Sequence, residues 1–220
     1  MNDSDRLRKY YAERAPEYEQ IYFRDVPERR RELADETVRL QKIARERNVL
    51  DIACGTGYWT SRMSQTARSI IAADISPEML AEARAKEYHC PIDFVRCDLN
   101  RLPFAENSFD LITLGFWFSH QPRQSYEALF DSLIPLLTDT GLIWMIDNNP
   151  PAEGPDHESS GTDSQGNNLK KRRLDNGMEY IILKNYFVED ELRAIFSPRF
   201  HLKRLTYGDC YWSALLTIRQ

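Results

Sequence analysis

The chain has 220 residues, with 29 Lys+Arg against 34 Asp+Glu, a formal net charge of −5 and a hydrophobic fraction of 42%. That apolar share is ordinary for a globular domain and excludes a whole-chain disordered or fibrous protein, and the acidic balance argues against a general nucleic-acid binder. No apolar run approaches the roughly 18 residues of a membrane helix, the start MNDSDRLRKYYAER is too charged for a signal peptide, and Cys54, Cys90, Cys97 and Cys210 lack CxxC spacing, so the expectation is a soluble, reduced, cytoplasmic protein.

Residues 1–47 read as a helical cap. Pro16 splits YYAERAPEYEQIY, which carries Tyr11 and Tyr18, into two short helical pieces. Leu33, Thr37, Leu40 and Ala44, with Ile43, predict an amphipathic helix that docks on something downstream. From Asn48 the texture changes. Val49–Ala53, Ser69–Ala73, Ile92–Cys97, Leu111–Leu114 and Leu142–Ile146 are short apolar runs that fit buried strands, and helical patterning separates most of them. Ser76-Pro77-Glu78 opens one helix with a capping residue, a proline at the first position and an acid facing the dipole. Another starts near Pro122, carries Leu129, Phe130 and Leu133, and should end or kink at Pro135. Alternating strands and helices imply a mostly parallel sheet covered on both faces.

Residues 149–168 hold no large apolar side chain, and 149–176 as a whole reads as a polar loop or lid. The C-terminal strands, 177–220, include Tyr180–Leu183, a short helix led by Glu189 and Asp190, and an antiparallel hairpin of Phe200–Tyr207 with Tyr211–Ile218. The chain is expected to form a single domain, with 48–148 as its binding core.

The strongest chemical signal is Asp51-Ile52-Ala53-Cys54-Gly55-Thr56-Gly57-Tyr58-Trp59, a glycine-rich turn between a strand and a helix. Small residues at 53, 55 and 57 let a ligand approach the backbone beside the coming helix N-terminus. A phosphate-binding P-loop needs Lys where Tyr58 stands, and a dinucleotide turn needs a third glycine where Thr60 or Tyr58 stands. An adenosine ligand without phosphates, held by its amino-acid tail and ribose, suits the acidic Asp51. Asp74 ends the next strand, where a carboxylate can accept both ribose hydroxyls, and Asp98 and Leu99 end the third, where they can meet an adenine edge and ring. The bland alternatives are that Asp74 caps a helix, Asp98 is a turn residue and Cys54 is small packing.

VLDIACGTGYWT, AADIS, RCDLNRLPF, FDLITLGFWFSH and LLTDTGLIWMID, in this order, resemble the class I S-adenosylmethionine-dependent methyltransferases over residues 10–218. The resemblance implies a Rossmann-like α/β fold: a seven-stranded sheet of order 3-2-1-4-5-7-6, strand 7 antiparallel, helices on both faces and an N-terminal helical cap. It implies S-adenosyl-L-methionine held by Asp51, Ala53, Cys54, Gly55 and Gly57 at the methionine portion, Asp74 at the ribose, Ile75, Met79, Asp98 and Leu99 at the adenine and Leu114 under the sulfonium. Tyr11, Arg14 and Tyr18 of the cap are read as closing over the ligand, a tyrosine hydroxyl on its carboxylate, with helix packing as the alternative. Many relatives have glycine at the position of Ala53.

Phe116, Trp117 and Phe118, with Tyr18, are read as an acceptor pocket, and His120 as a base where the acceptor carries a proton; the bland alternative is a helix cap. His89, His157 and His201 show no ligand spacing, so no metal is expected. Lys170-Lys171-Arg172-Arg173 reads as a solvated strand start, with an anionic-substrate or RNA contact as the alternative. The sequence thus points to a small, planar or apolar acceptor methylated at O, N or C, with no membrane or nucleic-acid partner. The rival readings are an RNA or protein methyltransferase and a non-catalytic cofactor binder.

Overall fold

The computed structural model describes residues 3–15, 18–19, 26–98, 101–150 and 161–219, the side chains of 3–8 excepted. Its centre is a parallel arrangement of β1 (Asn48–Ile52), β2 (Ser69–Asp74), β3 (Ile92–Arg96), β4 (Phe109–Gly115) and β5 (Leu137–Asn148). β10 (Tyr211–Ile218) joins β5 antiparallel and carries β9 (Phe200–Tyr207) as the edge, giving the order β3-β2-β1-β4-β5-β10-β9. Once the small second sheet is set aside, this is the 3-2-1-4-5-7-6 order that the resemblance implied, with the last strand reversed.

Side-chain alternation along these strands builds two cores. Leu50, Ile52, Ile112, Leu114, Ile143 and Met145 face α5 (Tyr126–Leu133) and α6 (Glu189–Phe196) through Phe130, Leu133, Leu192 and Phe196. Val49, Ile70, Leu111, Trp144 and Ile146 face α2 (Pro27–Ala44) and α3 (Tyr58–Met63) through Leu33, Leu40, Trp59 and Met63. Residues buried on both faces are what near-continuous apolar strands demand. α4 (Pro77–Arg84) starts at Ser76, whose Oγ accepts from the Met79 amide at 3.2 Å. α1 (Asp3–Arg14) ends before Pro16, which lies outside the described residues.

The polar loop expected at 149–176 requires correction. β6 (Gly161–Thr162), β7 (Asn168–Arg173) and β8 (Glu179–Leu183) form a second, antiparallel sheet, while residues 151–160 lie outside the description. The missed signal was Asn176-Gly177: Gly177 sits at φ 84 and the Leu174 amide donates to Met178 O at 2.9 Å, a tight hairpin turn between charged strands. Nor is the basic run simply solvated, because Lys170 in β7 is only 3% exposed.

One carboxylate of the N-terminal cap is fastened to the β9–β10 turn at the far edge of the sheet. Glu32 of α2 accepts from the backbone amides of Asp209, Cys210 and Tyr211 at 2.8, 3.2 and 3.0 Å, capping the β9–β10 turn. Hydrogen bonds to a charged acceptor are worth about 1.5–3 kcal/mol together with the cost of stranding the donors. Glu32→Ala should therefore lower the unfolding free energy by about 2 kcal/mol in urea titrations, with Glu32→Gln recovering part of that loss.

Candidate active site

The turn after β1 is left-handed three times in five residues: Ala53, Gly55 and Gly57 have φ of 52, 55 and 80. Gly57 is required twice over, because a Cβ there would also stand 2.6 Å from the Tyr88 hydroxyl. At Gly55 the nearest atoms to such a Cβ are Ala53 O and the Tyr18 ring, both at 4.0 Å, so the turn's backbone there borders open space. Ala53 pays about 1–2 kcal/mol for its conformation, which gives a physical reason for glycine at this place in relatives. The turn, with Tyr18, Asp51, Tyr58, Trp59 and Gly115, lines a cleft at the carboxyl edge of the sheet.

One carboxylate, Asp51, lines this cleft, and a second, Asp74, bonds the turn that borders it. Asp51 is 2% exposed, and its oxygens accept from Thr60 Oγ1 at 2.5 Å and Thr113 Oγ1 at 2.7 Å. Burial pushes its pKa up to about 6 against the pull of those hydroxyls. Asp74, at the end of β2, accepts from the Gly55 and Ser76 amides, each at 2.9 Å, and burial raises it too. It does not cap α4 itself; Ser76 does that. Met79 is buried, Ile75 is half-buried, and Asp98 stands half-buried just past β3. Leu99 lies outside the described residues. The Leu114 side chain is fully buried in the core, so at this position only the chain's course, through Gly115, reaches the cleft. Burial pushes the Cys54 thiol well above its ordinary range, which suits a packing group rather than a nucleophile.

The segment after β4 divides. Phe116 is left-handed at φ 58, held by its amide to Ile146 O at 2.8 Å, and it packs on Trp59 and Tyr211. Trp117 is half-buried against the core. Phe118, expected in the acceptor pocket, is instead a core residue stacked on Tyr126 at 4.5 Å and touching Phe187 and Trp212. A run of aromatics cannot say which ring points inward; here the 3-10 turn of Phe118–His120 turns that one into the core.

His120 is 8% exposed and fully engaged: Nδ1 meets Leu183 O at 2.7 Å and Nε2 meets the Tyr11 hydroxyl at 2.9 Å. Burial, then the Lys184 ammonium, holds its pKa down to about 3, so the imidazole is neutral. Tyr11 in turn packs edge-on against Tyr18, which links His120 to the cleft through two rings.

Sequence reasoning missed several groups. Asp147, at the end of β5, and Lys184, just past β8, form a fully buried ion pair at 2.6 Å; Lys184 also donates to Ser119 Oγ at 2.6 Å and Asn148 Oδ1 at 3.1 Å. The Lys184 ammonium offsets burial and keeps Asp147 below the usual carboxylate range. Thr60 and Thr113 fix Asp51, and Glu19 closes over the turn by accepting from Thr56 Oγ1 at 2.7 Å while pairing with Lys86. The two threonines were legible as strand and helix neighbours of Asp51, but the Glu19 and Lys184 contacts join residues far apart in sequence.

A family model described as a methyltransferase domain matches residues 49–141. The match supports the resemblance read from the five motifs, and the matched span runs from β1 through the start of β5. Demethylmenaquinone methyltransferase of Bacillus licheniformis is 28% identical over 121 residues, 53% of this chain and 51% of that protein, and the Lactococcus lactis enzyme of that name is 31% identical over 110 residues, 47% and 43%. The chain thus spans about half the length of these relatives or less. The solved DhpI-SAH complex is 25% identical, with a TM-score of 0.74 over 97% of this chain and 96% of that one. The Burkholderia thailandensis 1,6-didemethyltoxoflavin-N1-methyltransferase, 18% identical with a TM-score of 0.66 over 99% and 89%, shares the fold.

The buried charges around the cleft carry two predictions. Asp51 holds a proton in the folded state up to about pH 6 that the unfolded chain releases near 3.8, so this group's contribution to stability falls as pH rises through that window. Above it the two units of difference amount to about 3 kcal/mol of destabilisation. Asp51→Asn should unfold at higher denaturant than the parent at pH 7.5, and that gain should shrink at pH 4.5. Lys184→Met leaves Asp147 buried without its cation and should cost about 3–5 kcal/mol, whereas the double change Asp147→Asn with Lys184→Met should recover most of the loss in the same unfolding assay.

Proposed function

We propose that the chain transfers a methyl group from S-adenosylmethionine to a small acceptor at O, N or C, leaving S-adenosylhomocysteine. The observation that carries this reading is the left-handed turn at 53–57 bracketed by Asp51 and Asp74, two buried carboxylates at the carboxyl ends of adjacent parallel strands. Ligands of open α/β sheets bind along that edge. The likeness to the DhpI-SAH complex over nearly the whole chain supports it.

In this reading the backbone of Ala53, Cys54, Gly55 and Gly57 borders the amino-acid portion, with Asp51 as the counter-charge to its ammonium. Asp74 already accepts two backbone amides and offers its remaining lone pairs to the ribose diol. Ile75, Met79, Asp98 and Leu99 would flank the adenine, and Tyr11 and Tyr18 of the cap would close the cleft. When bound, the donor supplies an electrophilic sulfonium methyl. The protein's share of the work is alignment in a dry site, for which Trp59, Phe116 and Tyr18 provide walls. His120, with both ring nitrogens engaged, serves here to position Tyr11 rather than to act as a free base.

Calorimetric titration with S-adenosylhomocysteine, with NAD as a competitor, tests this reading. Micromolar binding that NAD does not displace, weakened in Asp74→Ala by about 1.5–3 kcal/mol, is expected. No heat from a folded protein, or unchanged affinity in a folded Asp74→Ala, would overturn the cofactor assignment or the ribose assignment respectively.

A further inference from the structure

We infer that the methyl acceptor is an amine, whose nitrogen gives an N–H to the Tyr11 oxygen and its lone pair to the methyl group, and that His120 fixes Tyr11 in the role of hydrogen-bond acceptor. The inference rests on the reading that the chain is an S-adenosylmethionine-dependent methyltransferase and names its substrate class. It departs from a tyrosine hydroxyl that donates to the cofactor's carboxylate. It also departs from the apolar acceptor suggested by the aromatic run, since Phe118 belongs to the core.

The first argument is the direction of one chain of hydrogen bonds. Leu183 O can only accept, so His120 Nδ1, 2.7 Å away, carries the imidazole hydrogen. The ring is neutral, which leaves Nε2 with a lone pair and no hydrogen. The Tyr11 hydroxyl, 2.9 Å from Nε2, therefore donates to it. That bond takes the one hydrogen Tyr11 has to give. Among the described residues no other group bonds the Tyr11 oxygen, so lone pairs are what it offers a ligand. A carboxylate brought there would set lone pair against lone pair, whereas a group with a hydrogen to give fits. The ring of Tyr11 is half-buried and packs edge-on against Tyr18, a wall of the cleft. Its hydroxyl bonds the turn that follows β4, while Asp74 ends β2. In the order β2-β1-β4 the two therefore lie on opposite sides of the glycine-rich turn, and the side of Tyr11 is the one left for an acceptor.

The second argument is the absence of an open base. With Nδ1 on Leu183 O and Nε2 on Tyr11, His120 has no free lone pair for an incoming proton. A relay, in which Tyr11 takes a proton and passes its own to Nε2, leaves an imidazolium that burial and the Lys184 ammonium oppose, holding the pKa at about 3. Alcohols and phenols have a hydrogen for Tyr11 but attack well only once it is removed. A fully ionised oxyanion attacks unaided but brings no hydrogen. An amine meets both conditions. Its nitrogen lone pair forms the bond to the methyl carbon, and the carbon–sulfur bond breaks with its electrons staying on sulfur as a neutral thioether. The positive charge passes from sulfur to nitrogen, the N–H stays on the Tyr11 oxygen, and the product ammonium gives a proton to water after release. The charges that bear on the pair are Arg14 and Asp147 at Tyr11, and Lys184, Asp147 and Arg172 at His120. The net charge of the reacting groups is the same before and after transfer, so none of these is needed to neutralise a new charge.

The experiment uses the full chain with S-adenosylmethionine and a panel of probes: aniline, N-methylaniline and benzylamine, which carry an N–H, against N,N-dimethylaniline, phenol, benzyl alcohol and benzoate. Methylated product and S-adenosylhomocysteine are read by mass spectrometry, alongside calorimetric binding of S-adenosylhomocysteine. The expected result is N-methylation of at least one N–H probe, with every other probe below about one-tenth of that rate. Tyr11→Phe should raise KM for that amine about tenfold while S-adenosylhomocysteine binds within about twofold of the parent. His120→Gln, whose amide oxygen can accept from Tyr11, should keep most of the amine affinity, and His120→Leu should lose it. A nitrogen-15 spectrum of the histidine-labelled parent, with His120 assigned by its contact with the Tyr11 ring, should show a neutral imidazole with its hydrogen on Nδ1; this holds the inference to account even where a variant does not fold. Four results would overturn it while S-adenosylhomocysteine still binds: no amine methylated, equal turnover of a probe without N–H, S-adenosylhomocysteine binding lost in a folded Tyr11→Phe, or His120 found with its hydrogen on Nε2. Failure of S-adenosylhomocysteine to bind the parent would instead remove the methyltransferase reading, and this inference with it.

Discussion

Asp51 is a carboxylate surrounded by sheet, and its neighbours are arranged to keep it there. It stands in register with Ala72 of β2 on one side and Thr113 of β4 on the other, and Thr113 reaches across that register to bond it. Thr60 reaches back from the first turn of α3 to its other oxygen. The start of the helix is thereby tied to the end of the strand, and the five residues between them must reverse direction within a fixed span. Three left-handed residues in that span satisfy the constraint. The open backbone at Gly55 and the amide that Asp74 accepts are consequences of the same short connection.

The strain is not confined to this turn. Ala53 follows β1 and Phe116 follows β4, neighbouring strands of the sheet, and both hold a left-handed backbone that side chains resist. Each is held by a hydrogen bond at or next to it: the Cys54 amide to Ala73 O, and the Phe116 amide to Ile146 O. Gly115, between them in space, leaves room for the Trp59 indole, whose atoms would lie 2.3 and 2.6 Å from any Cβ there. Conformational cost of this kind persists where the surroundings over-determine it, and Ala53 and Gly115, the residue before Phe116, both line the cleft.

What was legible in the sequence divides along the same line. The parallel strands, the capped helix at Ser76, the C-terminal hairpin and the glycine-rich turn are local patterns, and the structure places each where its pattern stood. Asp51 and Asp74 could be found because strand ends and turns are short-range features. The β6–β8 sheet was lost in its composition: LKKRR and a polar approach resemble solvated chain unless Asn176-Gly177 is weighted as a turn. Phe118 was misplaced because a four-residue aromatic run shows no period that separates a pocket wall from a core. Lys184 and Glu32 were invisible for a different reason, since their partners lie 37 and about 177 residues away.

The second sheet also holds the turn that follows β4. Leu183, Lys184 and Asn185 are consecutive, and each grips the turn that follows β4: Leu183 O accepts from His120 Nδ1, Lys184 Nζ donates to Ser119 Oγ, and the Asn185 amide donates to Ser119 O at 2.7 Å. Asn185 Nδ2 adds a bond to Gln121 O at 3.0 Å. The turn after β4 is therefore held by a segment inserted between β5 and α6, whereas the Gly-rich turn and its carboxylates are held by β1, β2, β4 and α3. Changes in β7 or β8 can alter charge and shape beside Tyr11 without disturbing Asp51, because no hydrogen bond among the described residues runs directly between that sheet and the 53–57 turn.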